Sequence, residues 1–401
     1  MQTPGQTPTM NNNLVLAITL AVQAMVSWAL LTLPVMAPVV AQALAVSPTY
    51  VGLYVAAAYV GAMVASLGSG GAIVRFGAIR VSQAGLLICA AGLAVCALPH
   101  VLAVAAGALL IGLGYGPITP ASSHLLALST PAHRMSLVFS VKQTGVPLGG
   151  VFSGLLVPSL MIWAGWQQTL MLVALLCVLI AGLTQPLRTA LDADRQRGQA
   201  MAWGHWLEPL QLVLSHRVLA MLAACSFVFS ITQMSLVTYL VTFLHDSLAW
   251  TLVAAGLALS VAQTAGVGGR VFWGLVADKF LGSQHMLAVL AALMALASAV
   301  MAFLSPGSAP VLLWLVLIVF GASAIGWNGV YLAEVARQAP TGKASLATGG
   351  TLTFTFLGVV IGPPLFGALA GALESYRAGY WALVVPTALC SIMLFRAQRW
   401  S

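Results

Sequence analysis

Two basic side chains, Lys142 and Arg270, fall within long stretches that otherwise read as uncharged and apolar. A charge placed in a medium of low polarity costs about 2.5–3.5 kcal/mol, so each needs an acceptor or a task. With no acid as partner, a pair of such cations suits an anion. The bland alternative is that both reach for an interface or contact backbone carbonyls, Arg270 helped by helix C-termini. The seven acids do not change this picture. Asp192, Asp194 and Glu208 fall in a polar connection, Asp246, Asp278 and Glu374 in loops, and Glu334 near the end of an apolar stretch.

The elements that must position these cations follow from composition. With 61% hydrophobic and 5% charged residues and a mean hydropathy of +1.01, the chain departs far from the charged fraction of about 25% usual in soluble domains. A bilayer core needs roughly 20 apolar residues per helix. The sequence divides into twelve such runs: 14–40, 49–71, 81–99, 101–128, 135–160, 166–187, 218–244, 250–275, 285–304, 309–335, 345–371 and 378–396. The expected fold is an all-α membrane protein. Residues 1–13 form a polar tail without Lys or Arg, the first span is too long for a secretory leader, and residues 397–401 form a second tail.

Placing the even-numbered connections in the cytoplasm puts Arg75, Arg80, Arg134, Arg188, Arg195, Arg197, Arg217, Lys279, Arg337, Lys343, Arg396 and Arg399 inside, and only Arg377 outside. Both termini then face the cytoplasm, and compact loops point to a bacterial inner membrane. The net charge of +8 reports topology and contact with membrane lipid, and no nucleic-acid partner is expected. Cys89, Cys96, Cys177, Cys225 and Cys390 lie in apolar spans without a Cys-x-x-Cys, so they read as packing residues, and no metal or cofactor is expected.

The longest polar connection, 188–217, separates a bundle at 14–187 from one at 218–396, with a surface helix expected at Trp203–Leu214. Gly145-Val-Pro147-Leu148-Gly149-Gly150-Val-Phe-Ser-Gly154 matches Gly362-Pro-Pro364-Leu365-Phe-Gly367-Ala-Leu-Ala-Gly371 at five of ten positions, offset by 217 (362 − 145). Gly70-Gly-Ala-Ile-Val74-Arg75-Phe76-Gly77 answers Gly274-Leu-Val-Ala-Asp278-Lys279-Phe280, offset by 204 (278 − 74). Both repeats fit a duplication of six helices. The pairs Gly145/Gly149, Gly150/Gly154 and Gly358/Gly362 allow close helix approach, as packing or as sliding surfaces.

The second loop resembles the G-x-x-x-D-[RK]-x-G hallmark of the major facilitator superfamily, whose parallel six-helix repeats form two pseudo-symmetric bundles. The resemblance implies that Asp278 caps a neighbouring helix and pairs with a basic residue, locking the cytoplasmic side while the carrier is open outward. Arg75, Gly274, Lys279 and Glu334 are assigned to the same gate. Val74 stands where the first loop would carry the matching Asp.

Arg270-Val-Phe-Trp-Gly274-Leu-Val-Ala277 also resembles the eighth helix of monocarboxylate transporters, where R-x-x-x-G-L-x-A carries the arginine that binds the substrate carboxylate. By this resemblance Arg270 inherits that role. Leu259 replaces those carriers' proton-linked acid, and Ala108 replaces the fourth-helix arginine of many drug antiporters, before Gly112-Leu-Gly114-Tyr-Gly116. Lys142 lies eight residues after Arg134, and Arg270 eight before Asp278, so both sit about 12 Å inward. Neither is duplicated, since Ser66 and Val359 occupy the repeat positions.

Gln263, seven residues before Arg270, shares its helix face and could bond the same anion or a neighbouring helix. Gln143 adjoins Lys142. Asn328 and Tyr331, with Trp327 and Glu334, line a pocket or simply pack. His124 is a candidate proton carrier or a structural histidine, and His245-Asp246 an outer gate or a solvated pair.

The expected function is secondary transport of a small organic anion, a monocarboxylate, with a co-transported proton or an exchanged anion, by a monomer working through alternating access. Competing readings are efflux of a neutral or drug-like compound and a receptor that binds without moving its ligand. No metal cluster, Ser/His dyad or phosphate loop suggests an enzyme.

Overall fold

The computed structural model describes residues 12–130, 135–196, 208–340 and 343–397, all helical or in turns, with no strand among them. Arg134, Arg197, Trp203, His205 and Arg399 lie outside the described residues. Among the described residues, twelve helical stretches are long and apolar enough to cross a membrane: Asn12–Val35, Pro48–Ser66, Ala78–Cys96, Val101–Ser129, Val141–Ala164, Trp166–Leu191, Arg217–Leu248, Leu252–Leu281, Ser283–Phe303, Pro310–Gln338, Ala347–Ala372 and Tyr376–Arg396. Helices prevail because hydrocarbon offers backbone groups no other partner.

Six spans precede the connection and six follow it. We call the end of the molecule carrying this connection the linker end and the opposite one the far end. Spans two and three turn at Gly77 (φ +99°), and spans eight and nine at Gly282 (φ +73°). These left-handed positions suit glycine, and they fall at equivalent points of the two halves. The helix in the linker runs Glu208–Ser215. It buries Val213 and packs on span eleven, where a Cβ on Gly350 would stand 2.2 Å from Pro209 O.

The two halves meet through spans five with eight, two with eleven and one with seven. Glycines make the approach close. A Cβ on Gly154 would lie 2.4 Å from Gly256 O, and one on Gly52 2.4 Å from Pro363 O. Gly149, Gly358 and Gly362 instead face spans one and seven within their own halves. Ser260 Oγ donates to Val151 O at 2.9 Å. At the far end the Tyr239 hydroxyl sits between Thr49 O (2.7 Å) and Pro363 O (2.8 Å), and its single proton serves one at a time. At the linker end Gly70, Gly274 and Gly349 have open space where a side chain would stand. The halves are thus joined at the far end through Tyr239, beside a surface hollow between Thr49, Tyr50 and Leu53 on one half and Pro364 and Gly367 on the other. Gly154→Val is expected to wedge spans five and eight apart, and cysteine labelling at the far end should accelerate in the variant if this seam helps to join the halves.

Candidate functional site

Three spans expected to be continuous are interrupted at mid-membrane. Span four stops at Tyr115 and restarts at Ile118 across Gly116-Pro117, span five breaks at Thr144, and span ten stops at Ala324 and restarts at Asn328. Pro117 lacks an N–H, and Gly326 sits in the tenth-span break. Interruptions of this kind expose backbone carbonyls inside a protein.

Arg270 uses two of those carbonyls. Its Nε donates to Ile325 O at 3.1 Å and its terminal NH1 to Gln143 O at 2.5 Å. The guanidinium therefore ties the interrupted tenth span to the interrupted fifth, across the two halves, at helix ends that carry partial negative charge. Two of its five N–H groups are used in this way. Of the readings open for Arg270, contact with carbonyls at helix ends is the one seen in this conformation.

Beside the arginine, Ser27, Tyr59, Tyr115, Val146, Gln233, Met234, Gln263 and Ile325 are among the residues enclosing a central cavity of about 30 Å³. That is room for one or two waters. Gln263 faces it, 3% exposed, and its amide leaves no space for a Cβ on Gly150. Tyr59 reaches across the halves to Met234 Sδ (3.9 Å) and stacks edge-on to Tyr115.

Lys142 is 1% exposed, and its side chain makes a long hydrogen bond, from Nζ to Thr119 O at 3.5 Å, as its one such bond among the described residues. It points into the N-terminal half, where Thr119 Oγ1 donates to Gln23 Oε1 and Gln23 Nε2 is buried without a partner. It does not line the central cavity. Gln143 contributes its carbonyl.

Several expected site residues stand elsewhere. Tyr331 is packed on Trp327 in the C-terminal half and is 1% exposed, so packing rather than pocket lining describes it. Trp327 Nε1 and Asn328 Nδ2 both donate to Gln233 Oε1, at 2.9 and 3.5 Å. His124 bonds Asp194 at 2.6 Å at the linker end and is no core proton carrier. Glu334, fully buried, is satisfied within its own helix by Arg337 and by Gln338 Nε2 (2.8 Å), because positions i+3 and i+4 lie over it. It does not reach across to the gate loop. Arg75 lies over the Phe76 ring. Asp278 and Lys279 are exposed and make no hydrogen bond or ion pair with described residues, so the cap implied for Asp278 is not engaged here. Gly274 faces open space. Asp278→Asn is accordingly expected to change thermal stability by less than about 0.5 kcal/mol.

Two functional positions escaped the sequence reading. Gln233 orients the tenth-span break, and a lone Gln in an apolar seventh span was its signal. Asp192 is 2% exposed and accepts from Ile79 N (2.8 Å), Arg80 N (3.3 Å) and Arg80 NH1 (3.2 Å), capping the third span at the turn where Val74 had suggested no acid. The acid comes from the end of span six.

A profile of the Major Facilitator Superfamily matches residues 16–363. The chain is 25% identical over 285 residues to an uncharacterized MFS-type transporter of Mycobacterium tuberculosis, covering 68% of this chain and spanning 59% of the relative's length. Among solved structures it resembles a bacterial homolog of the human lysosomal transporter Spinster in an inward-facing, unoccupied conformation, with a TM-score of 0.77, 14% identity, and 98% of each chain covered. The nucleoside transporter NupG gives 0.76 at 17% identity, over 96% of this chain and 99% of that one. At such identities the likeness is one of fold. With twelve membrane-crossing helices in two six-helix halves and a family profile that runs from the first span into the eleventh, the chain belongs to the major facilitator superfamily, a family of transporters.

Proposed function

We propose that this protein is a secondary carrier that moves a small organic anion, a monocarboxylate, by alternating access between its two halves. The observation that carries this reading is the setting of Arg270. It lies at the seam of the halves beside the central cavity, is held by two backbone carbonyls, and has no acid within reach among the described residues. A carboxylate matches the planar fork and would exchange for the carbonyls. Gln263 would supply a second donor and Lys142 a favourable positive field from behind the fifth span. With the halves joined at the far end and the cavity reduced to water size, the conformation is one in which substrate leaves or enters through the linker end. By the charge rule that end is cytoplasmic, in a bacterial inner membrane. Asp278 and Lys279 would engage when the linker end closes. Since the buried acid of span ten, Glu334, is held within its own helix by Arg337 and Gln338 and does not reach Arg270 or the cavity, coupling is by an exchanged anion or by a proton carried on the substrate.

The apolar part of the cavity wall, Leu30, Leu31, Val146, Met234, Val237 and Ile325, favours a second reading, efflux of a neutral compound with both cations structural. Thermal melts of the purified protein against a panel of small carboxylates and uncharged analogues separate the two. A carboxylate at about 100 times its Kd raises stability by about 2.7 kcal/mol. Shifts confined to uncharged compounds would overturn the anion reading, and flux of the stabilising compound into proteoliposomes would then establish transport.

A further inference from the structure

At the linker end, Arg75, Phe76, Arg80 and Arg195 line a surface hollow between the turn joining spans two and three and the start of the connection. Arg80 is partly committed: its NH1 donates to Asp192 and to Phe76 O. Arg75 and Arg195 make no side-chain hydrogen bond or ion pair with described residues. Of the described acids nearby in sequence, Asp192 is buried and occupied by the third span, and Asp194 is paired with His124. The hollow therefore presents three guanidinium groups with one neutralised.

Its setting distinguishes it from a general basic surface. The hollow opens where spans enter the membrane–water boundary. Spans three and six pack side by side below it, and Leu87 and Leu183 on them stand exposed. Phe76, half exposed, forms its apolar edge. A ligand that fits must join a phosphate-like oxyanion, which suits planar two-donor forks, to a hydrocarbon tail lying along the outer surface of the bundle. The geometry points to a binding site for the phosphate of an anionic phospholipid, held by Arg75 and Arg195 with a spare donor of Arg80. Because Arg80 also holds Asp192, the bound lipid fastens the start of the connection to the N-terminal half.

The test is thermal stability of the full chain in detergent with added phosphatidylglycerol, phosphatidylcholine of the same acyl chains, or inorganic phosphate, for the wild type and for Arg75→Gln/Arg195→Gln. Phosphatidylglycerol is expected to raise the wild-type Tm by several degrees more than phosphatidylcholine, and the double variant to lose that difference while matching the wild type in phosphatidylcholine. Equal effects of both lipids, or an undiminished phosphatidylglycerol increment in the variant, would overturn the site. Inorganic phosphate reproducing the whole increment would overturn its assignment to a lipid. If the double variant does not purify, native mass spectrometry of the wild type against Arg195→Gln decides it by the number of phosphatidylglycerol molecules retained.

Discussion

Arg270→Gln is expected to weaken binding of the carboxylate by at least about 30-fold, since truncating one partner of a buried charged hydrogen bond costs about 2–5 kcal/mol. The stabilising shift of about 2.7 kcal/mol given by that carboxylate in the wild type falls to about 0.9 kcal/mol or less in the variant at the same concentration. The apo protein is also destabilised, by about 1–3 kcal/mol, because Gln143 O and Ile325 O lose their donor. The two effects are separable. Arg270→Lys keeps the charge but has no fork to span two carbonyls, so it should recover part of the binding and little of the latch. If Arg270 is purely a structural latch, the variant loses stability yet keeps transport in proteoliposomes. Transport at wild-type rate in Arg270→Gln would reject the anion site and favour efflux of a neutral compound.

Asp192→Ala is the second substitution with a large expected consequence, a loss of about 2–4 kcal/mol, because it removes a helix cap and leaves Arg80 without its buried partner. Asp192 joins the end of span six to the start of span three across 113 positions of sequence. A side chain at Gly77 would collide with it, since a Cβ there would stand 2.2 Å from Asp192 Cγ. Gly77→Ala should therefore reproduce most of the loss, with backbone strain added at φ +99°. The comparison is Asp194→Ala. Its pair with His124 is well exposed, at 40% and 32%, so the change should cost less than about 1 kcal/mol. Melting curves of the three variants read the difference directly, and an Asp192→Ala melt equal to that of Asp194→Ala would show that the Asp192 cap does not hold spans three and six together.

The number of spans and the division into halves were legible because the hydrophobic period and the repeats at Gly145 and Gly362 are local patterns. Boundaries moved where the patterns end. Span seven runs to Leu248 instead of 244, and the first span stops at Val35, before a separate helix at Ala37–Ala43. The candidate site was legible in part. Arg270 and Gln263 meet the seam as their seven-residue spacing requires, whereas Lys142, Tyr331 and His124 point elsewhere, since spacing reports the face of a helix and not which neighbour covers it. Glu334 shows the same limit in reverse, its charge answered by Arg337 one turn along.

By itself, the sequence determined a membrane protein of twelve helices, duplicated in six, with two basic residues, Lys142 and Arg270, several residues inside its apolar spans. Hydropathy and charge count are properties of composition and order, and a bilayer selects on them directly. Only the tertiary structure decided that spans four, five and ten break at one depth, that Arg270 closes across two of those breaks, and that Asp192 supplies the cap missing from the loop after span two. Each depends on bringing together groups more than fifty residues apart, and helix packing sets those pairings where no local period records them.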